Sequence, residues 1–256
     1  MDDMQLLIDL HKDADRQGPG GDAESEQALR LAMHNMALLH QNRRLQIADI
    51  GCGTGASTLV LARLLDAEIT AVDFLRDFLD VLDERAREAG VGEKIQALCH
   101  GMEDLPFEPN TFDLIWSEGA IYNIGFEKGV GDWRRYLKAG GVLAVSEITW
   151  TSATRPAEVQ AHWQREYPQI DTAAAKLQIL EQQGYAPIGY FILPQQCWID
   201  QYYRPMQARF PEFLERHQHS EAAQAIVAAE EQESALYERY RDYYSYGFYI
   251  ARKLGD

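Results

Sequence analysis

Residues 47–55 read IADIGCGTG and place one acid and three glycines where a strand meets a helix. Asp49 comes near the end of the apolar run, and Gly51, Gly53 and Gly55 follow at alternate positions. A glycine loop of this kind gathers backbone N–H groups at a helix N-terminus, where a phosphate can bind. Dinucleotide sites, however, use the spacing GxGxxG, and a carboxylate ahead of the loop disfavours a pyrophosphate. The acid suits a ligand that carries an ammonium group.

A second acid ends the next strand. Asp73 stands in AVDF, 18 residues after Gly55, where a carboxylate can accept hydrogen bonds from both hydroxyls of a ribose. Many glycine-rich turns only connect two elements tightly, so GCGTG by itself indicates little. With Asp49 before the loop and Asp73 after it, the pattern favours S-adenosylmethionine, which has an amino acid head, a sulfonium and a ribose but no phosphate.

The elements that position these residues alternate between helix-like and strand-like segments from residue 22 to about 150. This alternation is typical of a parallel α/β sheet. It predicts a helix at 23–40, capped by Asp22, and strands at LQIADI, EITAVDF, KIQALCH, TFDLIWSEG and GVLAVSEITW. The segment FEKGVGDWRRYLKAG is predicted to be helical as far as the glycines at 140 and 141, because glycine favours a helix C-terminus.

The composition changes after residue 150. Helix signals dominate 156–183, with an interruption near Pro168, and they return at 199–240. PIGYFILP and YSYGFYIARK have strand character, and we expect them to pair as an antiparallel edge of the sheet. The helices between these two strands are predicted to form a small lid.

The composition also disfavours several classes of function. The formal net charge is −16, with 40 acids against 24 bases, which argues against binding to nucleic acid or to an anionic membrane surface. No apolar stretch approaches the roughly 18–20 residues that span a bilayer, and the acidic N-terminus is unlike a signal peptide. Three widely separated cysteines indicate neither a disulfide framework nor a zinc site and favour a cytoplasmic location. No metal site is predicted.

Four motifs in succession resemble those of class I S-adenosylmethionine-dependent methyltransferases: DIGCGTG, AVDF, the MEDLPF turn and FDLIWSEGAIYNIGF. RQGPGG, SEITW, RPAE and FILPQQCW resemble a bacterial small-molecule subgroup. The resemblance implies an α/β fold with a Rossmann-like seven-stranded sheet, parallel except for an antiparallel last strand and flanked by helices. It implies one domain over 1–256, with an N-terminal lid segment at 1–22, a cofactor-binding core at 45–150 and a helical lid insertion at 195–242.

The resemblance also implies roles at individual positions. Four residues would line the methionine portion of the cofactor: Asp49, Gly51, Gly53 and Gly55. Asp73 would hold the ribose hydroxyls, Phe74 would pack against the adenine, and Met102 would cover its other side. Many relatives carry an aspartate just before Met102, but this chain has Gly101. Glu103, a backbone carbonyl or a water would therefore meet the adenine amino group.

The acceptor would lie beside the sulfonium, bordered by Ser117 and Glu118. In open α/β sheets the reacting groups gather at the carboxyl ends of strands, so the candidates are Glu118, Tyr122, Asn123, Glu147, Thr149 and Trp150. Methyl transfer depends mainly on positioning, and a base is needed only if the nucleophile must lose a proton. Glu118 or Glu147 would be that base, would pair with a cationic amine, or would simply hold a loop N–H.

Two further segments have alternative interpretations. Arg16, in the N-terminal lid segment, would hold a carboxylate of the cofactor or substrate, or it belongs to an ordinary flexible terminus. The tyrosines of LYERYRDYYSYGFYIARK, namely Tyr240, Tyr243, Tyr244 and Tyr246, would form an aromatic wall for a cationic or ring-bearing acceptor. Half-buried packing is the alternative for them.

The expected function is methyl transfer from S-adenosylmethionine to a small-molecule acceptor, with S-adenosylhomocysteine as product. The alternative is a protein that binds the cofactor without transfer, such as a sensor or partner subunit. A nucleic-acid methyltransferase is disfavoured because SEGA stands where a PPY-like tetrapeptide is expected. The sequence leaves the methylated atom open, favours a neutral or cationic acceptor, and allows a homodimer.

Overall fold

The computed structural model describes residues 3–36 and 43–255. The strands in this part of the chain are β1 (Leu45–Ile50), β2 (Ala67–Asp73), β3 (Ile95–Cys99), β4 (Phe112–Glu118), β5 (Leu137–Trp150), β6 (Asp171–Thr172), β7 (Tyr185–Ile192) and β8 (Tyr244–Lys253). The α-helices are α1 (Asp3–His11), α2 (Asp22–Met36), α3 (Ala56–Leu64), α4 (Arg76–Glu88), α5 (Phe126–Trp133), α6 (Ala157–Glu166), α7 (Ala173–Gln182), α8 (Gln195–Trp198), α9 (Arg204–Arg216) and α10 (Glu221–Tyr240). A π-helical segment, Ile199–Tyr203, joins α8 to α9.

The strands form one sheet in the order β3-β2-β1-β4-β5-β8-β7, and the short β6 pairs with β5 off this path. Neighbouring strands from β3 to β5 run parallel, whereas β8 is antiparallel to both β5 and β7. The predicted Rossmann-like sheet with an antiparallel last strand is therefore confirmed. The carboxyl ends of β1, β2 and β4 lie at one edge of this sheet, where Asp49, Asp73 and Glu118 are found.

The central strands are apolar because both of their faces are buried. Successive side chains of β4 alternate between two cores: Leu114 and Trp116 belong to one buried cluster and Ile115 to the other. Parallel sheets covered by helices on both faces have this continuous apolar pattern. The sheet therefore supplies a rigid frame for the polar residues at its strand ends.

The start of β5 differs from the prediction. α5 ends at Trp133 and is followed by a single 3-10 turn, Arg134–Tyr136, so residues 137–140 are not helical. Leu137 already pairs with Phe112 on β4, and the register then shifts before Leu114. Gly140, with φ of +75°, lies in this irregular stretch of strand rather than at a helix C-terminus. Pairing with β4 outweighs the local helix signal because it buries Leu137 completely.

The helix predicted at 23–40 begins one residue earlier, and residues 37–40 lie outside the described part of the chain. The amide of Ser25 donates to the carbonyl of Gly21, so Asp22 is the first helical residue rather than the cap. The predicted helical insertion contains α8, the π-helical segment, α9 and α10, and α1 packs against α9 and α10. None of the helices in residues 3–36 and 43–255 is long and apolar enough to cross a membrane.

Candidate functional site

A cavity of about 600 Å³ lies at the carboxyl edge of the sheet. This volume falls in the range of about 300–1,000 Å³ typical of small-molecule sites. Its wall is formed by α1, the loop after α1, the glycine loop, the residues after β2 and β3, and the residues after β4. The predicted site residues along it are Arg16, Gly51, Gly53, Asp73, Phe74, Met102, Glu103, Glu118, Tyr122 and Asn123.

Asp49 lies beneath the glycine loop rather than in the cavity wall, and it is completely buried. Its Oδ2 accepts hydrogen bonds from Ser57 Oγ at 2.9 Å and Thr58 Oγ1 at 2.6 Å. Among the described residues, its Oδ1 has no hydrogen-bond partner. Burial raises the pKa of Asp49 to about 7, although the two hydroxyls oppose the shift. The orphaned Oδ1 is suited to accept from a cationic donor that the chain itself does not supply.

The glycines of the loop serve two different contacts. Gly51 has φ of +75°, and a Cβ there would overlap Ala120, which follows β4. Gly55 has φ of +90°, and a Cβ there would overlap Leu82 of α4. Gly51 therefore allows the residues after β4 to pack against the glycine loop, whereas Gly55, outside the cavity wall, allows α4 to do so.

Asp73 connects the second strand end to the glycine loop. Its Oδ2 accepts from the amide of Gly53 at 3.0 Å, and its Oδ1 accepts from the amide of Leu75 at 2.9 Å. Burial raises the pKa of Asp73, while these backbone donors oppose that effect. The neighbouring Phe74 keeps 62% of its surface exposed and contributes that surface to the cavity. An apolar ring exposed in a cavity is suited to stack on a flat ligand.

The loop after β3 closes the same side of the cavity. Gly101, Met102 and Glu103 line it opposite the glycine loop. The carbonyl of Met102 accepts from Trp133 Nε1 at 3.1 Å, which ties this loop to α5. The Met102 side chain is therefore presented from a loop with a fixed backbone, as adenine packing would require.

Glu118 is held by three donors. Its carboxylate accepts from Arg16 Nη1 at 2.8 Å, Ser25 Oγ at 2.6 Å and Trp116 Nε1 at 2.9 Å. The guanidinium of Arg16 is as enclosed as the carboxylate, each side chain keeping 10% of its surface exposed. These contacts favour an anchoring role for Glu118 over proton transfer, and its catalytic role stays a prediction.

The segment that carries Arg16 lies over the glycine loop. Gln17 Nε2 donates to Thr54 Oγ1 at 2.9 Å, and the amide of Thr54 donates back to Gln17 Oε1 at 3.0 Å. Arg85 of α4 donates to the carbonyl of Ala14 at 3.0 Å. Residues 14–17 are thus fixed to the site from both sides, and a role for 1–22 as a movable lid stays a prediction.

Two predicted site residues lie beside the cavity rather than in its wall. Ser117 is buried and donates to the carbonyl of Ile50 at 2.7 Å, because alternate strand residues point to opposite faces. Glu147 is completely buried, and its Oε1 lies 3.3 Å from Lys176 Nζ. Burial raises the pKa of Glu147 and lowers that of Lys176. The predicted role of Glu147 as a base would require it to act from behind the cavity wall.

The other acceptor candidates divide between cavity and core. Tyr122 lines the cavity with 42% of its surface exposed. Thr149 is hydrogen-bonded to Tyr249, and Trp150 packs in the core against Tyr244. Among the four tyrosines predicted as a wall, Tyr240 donates to Glu158 and Tyr246 lies against Gly119, which lines the cavity.

The sequence interpretation missed the residues that fix these acids in place. They are Ser57 and Thr58 below Asp49, and Ser25 and Trp116 around Glu118. Two hydroxyl residues in the first turn after a glycine loop are a local signal that was available for Asp49. Ser25 gave no such signal, because it lies 93 residues from Glu118 in the sequence.

Residues 47–141 match a family model described as a methyltransferase domain. The chain is 29% identical to methyltransferase GfsG of Streptomyces halstedii over 104 residues, which cover 40% of this chain and 37% of that relative. This similarity therefore spans less than half of the relative's length. The family match at residues 47–141 contains the glycine loop and both strand-end acids.

Two solved structures share the fold over nearly the whole chain. One is an S-adenosylmethionine-dependent methyltransferase from Geobacter sulfurreducens in complex with S-adenosylhomocysteine, with a TM-score of 0.79 and 19% identity over 96% of this chain and 97% of that one. The other is the cyclase SpnF, with a TM-score of 0.76 and 20% identity over 99% of this chain and 93% of that one. At these identities the likeness shows a common fold.

Proposed function

We propose that this chain, in which residues 47–141 match a methyltransferase domain, is a class I S-adenosylmethionine-dependent methyltransferase that binds S-adenosylmethionine in the cavity and methylates a small-molecule acceptor. The observation that carries the proposal is the pair of strand-end acids at one cavity. Asp73 is fixed at its wall, and Asp49 presents an orphaned oxygen beneath the loop. When bound, the cofactor supplies an electrophilic methyl group on a sulfonium.

The residues present fit this cofactor. Asp73 would hold the ribose hydroxyls, since it is a carboxylate whose position two backbone amides already fix. Phe74 and Met102 would enclose the adenine. Glu103, which follows Met102 in the sequence, would accept a hydrogen bond from the adenine amino group. Gly51 and Gly53 would border the methionine portion, with Asp49 as counter-charge to its ammonium group. Together these contacts would hold the cofactor's reacting end toward Tyr122.

The chain's own contribution to catalysis would be orientation and exclusion of water. Alignment of a nucleophile with its target lowers a barrier by up to roughly 7–11 kcal/mol. Residues 14–17, tied to Thr54 and Glu118, cover the glycine loop and limit the access of water. Tyr122 lines the cavity together with Glu118 and Asn123. Burial raises the pKa of Tyr122, so its neutral phenol would position the acceptor by hydrogen bonding.

Calorimetric titration of S-adenosylhomocysteine into wild type, Phe74→Ala and Leu64→Ala tests the cofactor site. Stacking of a base on an aromatic ring is worth about 1–3 kcal/mol, so Phe74→Ala should weaken binding by roughly fivefold or more. Leu64 is exposed to a similar extent, at 52%, but lies outside the cavity wall, so Leu64→Ala should leave affinity unchanged. Equal affinity for all three proteins would contradict the proposal.

Cofactor binding without methyl transfer is the second candidate, because a cyclase has the same fold. Methyl transfer and binding without transfer are distinguished by measuring the release of S-adenosylhomocysteine from S-adenosylmethionine in the presence of a panel of amine, phenol and thiol acceptors. Turnover above the acceptor-free control with any of them supports the transferase. Cofactor binding without turnover across the panel supports a binding role. A homodimer and a cytoplasmic location stay predictions.

A further inference from the structure

Beside the cavity lies a cluster of tyrosines, the aromatic chamber, that the cofactor contacts do not use. We define this chamber by Tyr122, Tyr167, Tyr202, Tyr203 and Tyr246. On one side His11, which lines the cavity, stacks on Tyr202 at 6.4 Å between ring centroids, and Tyr202 meets Tyr203 at 5.1 Å. On the other side Tyr122, also in the cavity wall, meets Tyr167 edge-on at 6.2 Å. The ring of Tyr246 lies 3.2 Å from the point where a Cβ on Gly119 would sit.

Carboxylates lie among these rings. Glu233 accepts from Tyr203 Oη at 3.1 Å, and Glu230 lies 3.4 Å from His11 Nε2. Glu147, behind the chamber, has Lys176 as its cationic partner. The guanidinium of Arg209, which lies near Tyr202, donates to the backbone carbonyls of Leu10 and Pro205. Glu233 thus accepts a hydrogen bond from a neutral phenol, and this bond does not neutralise the charge of the Glu233 carboxylate.

Glu233 has the two properties expected of a side chain that faces a concavity. Its side chain is accessible to water, yet burial among protein atoms raises its pKa. Tyr122 combines the same two properties, and Tyr122 lines the cavity. A side chain on a convex surface would be accessible without being desolvated. Glu233 therefore faces the enclosed space and not the outer surface of α10.

Two buried polar groups at the chamber interact with each other. They are the hydroxyl of Tyr167, a side chain that is 8% exposed, and the carboxylate of Glu147, a side chain that is fully buried. Tyr167 also stands against Tyr122, at the boundary between chamber and cavity. This pair therefore fixes the ring of Tyr167 beside Tyr122.

We propose that the aromatic chamber binds the ammonium group of an amine-bearing acceptor, with Glu233 as counter-charge and the rings of Tyr122, Tyr202 and Tyr246 around it. Electron-rich aromatic faces attract ammonium groups most strongly where water is excluded, and the carboxylates repel an anionic acceptor. The inference rests on the proposed function, since it assigns the acceptor of the same cavity. It concerns recognition of the charge and leaves the methylated atom open.

A pair of isosteric probes isolates the charge. Choline and dimethylbutanol, in which carbon replaces the charged nitrogen, have nearly the same shape. Each is titrated calorimetrically into the protein saturated with S-adenosylhomocysteine. Wild type should bind choline at least about fivefold more tightly than its neutral isostere. Glu233→Gln, which keeps the shape and the bond to Tyr203, should remove most of this preference. Glu231→Gln, an exposed glutamate on the same helix, should retain it.

The controls separate this inference from the cofactor assignment. If S-adenosylhomocysteine does not bind wild type, the proposed function fails first. If it binds wild type and both variants equally, the cofactor site is intact and only the chamber is under test. Equal binding of the two probes, no detectable binding of choline, or an undiminished preference in Glu233→Gln would each overturn the inference.

Discussion

The acids in and around the cavity are fixed in two different ways. On the side that we propose binds the cofactor, the cofactor half, Asp49 is held by hydroxyls 8 and 9 residues along the chain, and Asp73 by amides 2 and 20 residues away. On the side that we propose binds the acceptor, the acceptor half, the donors to Glu118 include groups 102 and 93 residues away. The partners of Glu147 and Glu233 lie 29 and 30 residues away, on other elements.

This difference shows in which part of the site the contacts are determined by residues close together in the sequence. A strand end, a glycine loop and a helix N-terminus bring the donors of Asp49 and Asp73 into place as soon as the adjacent strands pair. The acceptor half requires that the N-terminal segment, α7 and α10 all dock on the sheet. We therefore expect substitutions in the acceptor half to affect stability and segment motion, and substitutions in the cofactor half to affect mainly ligand affinity.

The largest effect is expected at the buried pair of Glu147 and Lys176. Glu147→Gln or Lys176→Met removes one charge and leaves the other buried, which typically costs about 3–5 kcal/mol of unfolding free energy. The double variant should cost clearly less than the sum, because no unpaired charge remains. Urea unfolding measures this, with the exposed pair of Arg76 and Asp80 as control: Asp80→Asn should cost less than about 1 kcal/mol. Additive losses in the double variant would contradict the account.

A smaller effect is expected at Glu118. Glu118→Gln breaks a charge-assisted bond to Arg16 and should destabilise the docking of residues 14–17 by about 2 kcal/mol. Amide exchange in this segment should become roughly thirtyfold faster. Glu103→Gln, on the opposite wall of the cavity, should leave the exchange unchanged. If exchange stays slow in Glu118→Gln while turnover of an acceptor is lost, Glu118 acts as a base and not as an anchor.

The sequence predicted the sheet, and the positions of Asp49 and Asp73 at its carboxyl edge, because their determinants are local. Apolar runs and an alternation of helix-like and strand-like segments are enough to place these two acids, whereas the role of Phe74 followed from the family resemblance and stays a prediction. Local rules failed where distant pairing competed with them: β4 draws residues 137–140 into a strand in place of the predicted helix. The ion-pair partners of Glu118 and Glu147 could not be predicted either, because nothing near either residue in the sequence identifies Arg16 or Lys176.

A further effect is a pH dependence set by Asp49. Its pKa in the folded protein is about 7, above its ordinary value of 3.8, so the folded state binds more protons than the unfolded state between these values. Stability without ligand therefore falls as the pH rises through this window, and Asp49→Asn should lack that part of the fall.

Cofactor binding should show the opposite trend. An ammonium group beside Asp49 favours the ionised carboxylate, so affinity for S-adenosylhomocysteine should rise up to about tenfold per pH unit below 7 and then level off. Asp49→Asn should give a flatter profile in the same calorimetric titration. An identical pH profile in wild type and variant would show that Asp49 does not meet the cofactor's charge.

The most direct test of the central claim is calorimetric titration of S-adenosylhomocysteine into wild type and Asp73→Ala. Hydrogen bonds to a charged acceptor are worth about 1.5–3 kcal/mol, so the variant should bind about ten- to a hundredfold more weakly while wild type binds in the micromolar range. Because Asp73 also holds the Gly53 amide, thermal unfolding of the variant is measured alongside. No binding to wild type, or a folded variant that binds as tightly, would contradict the assignment of this cavity to the cofactor.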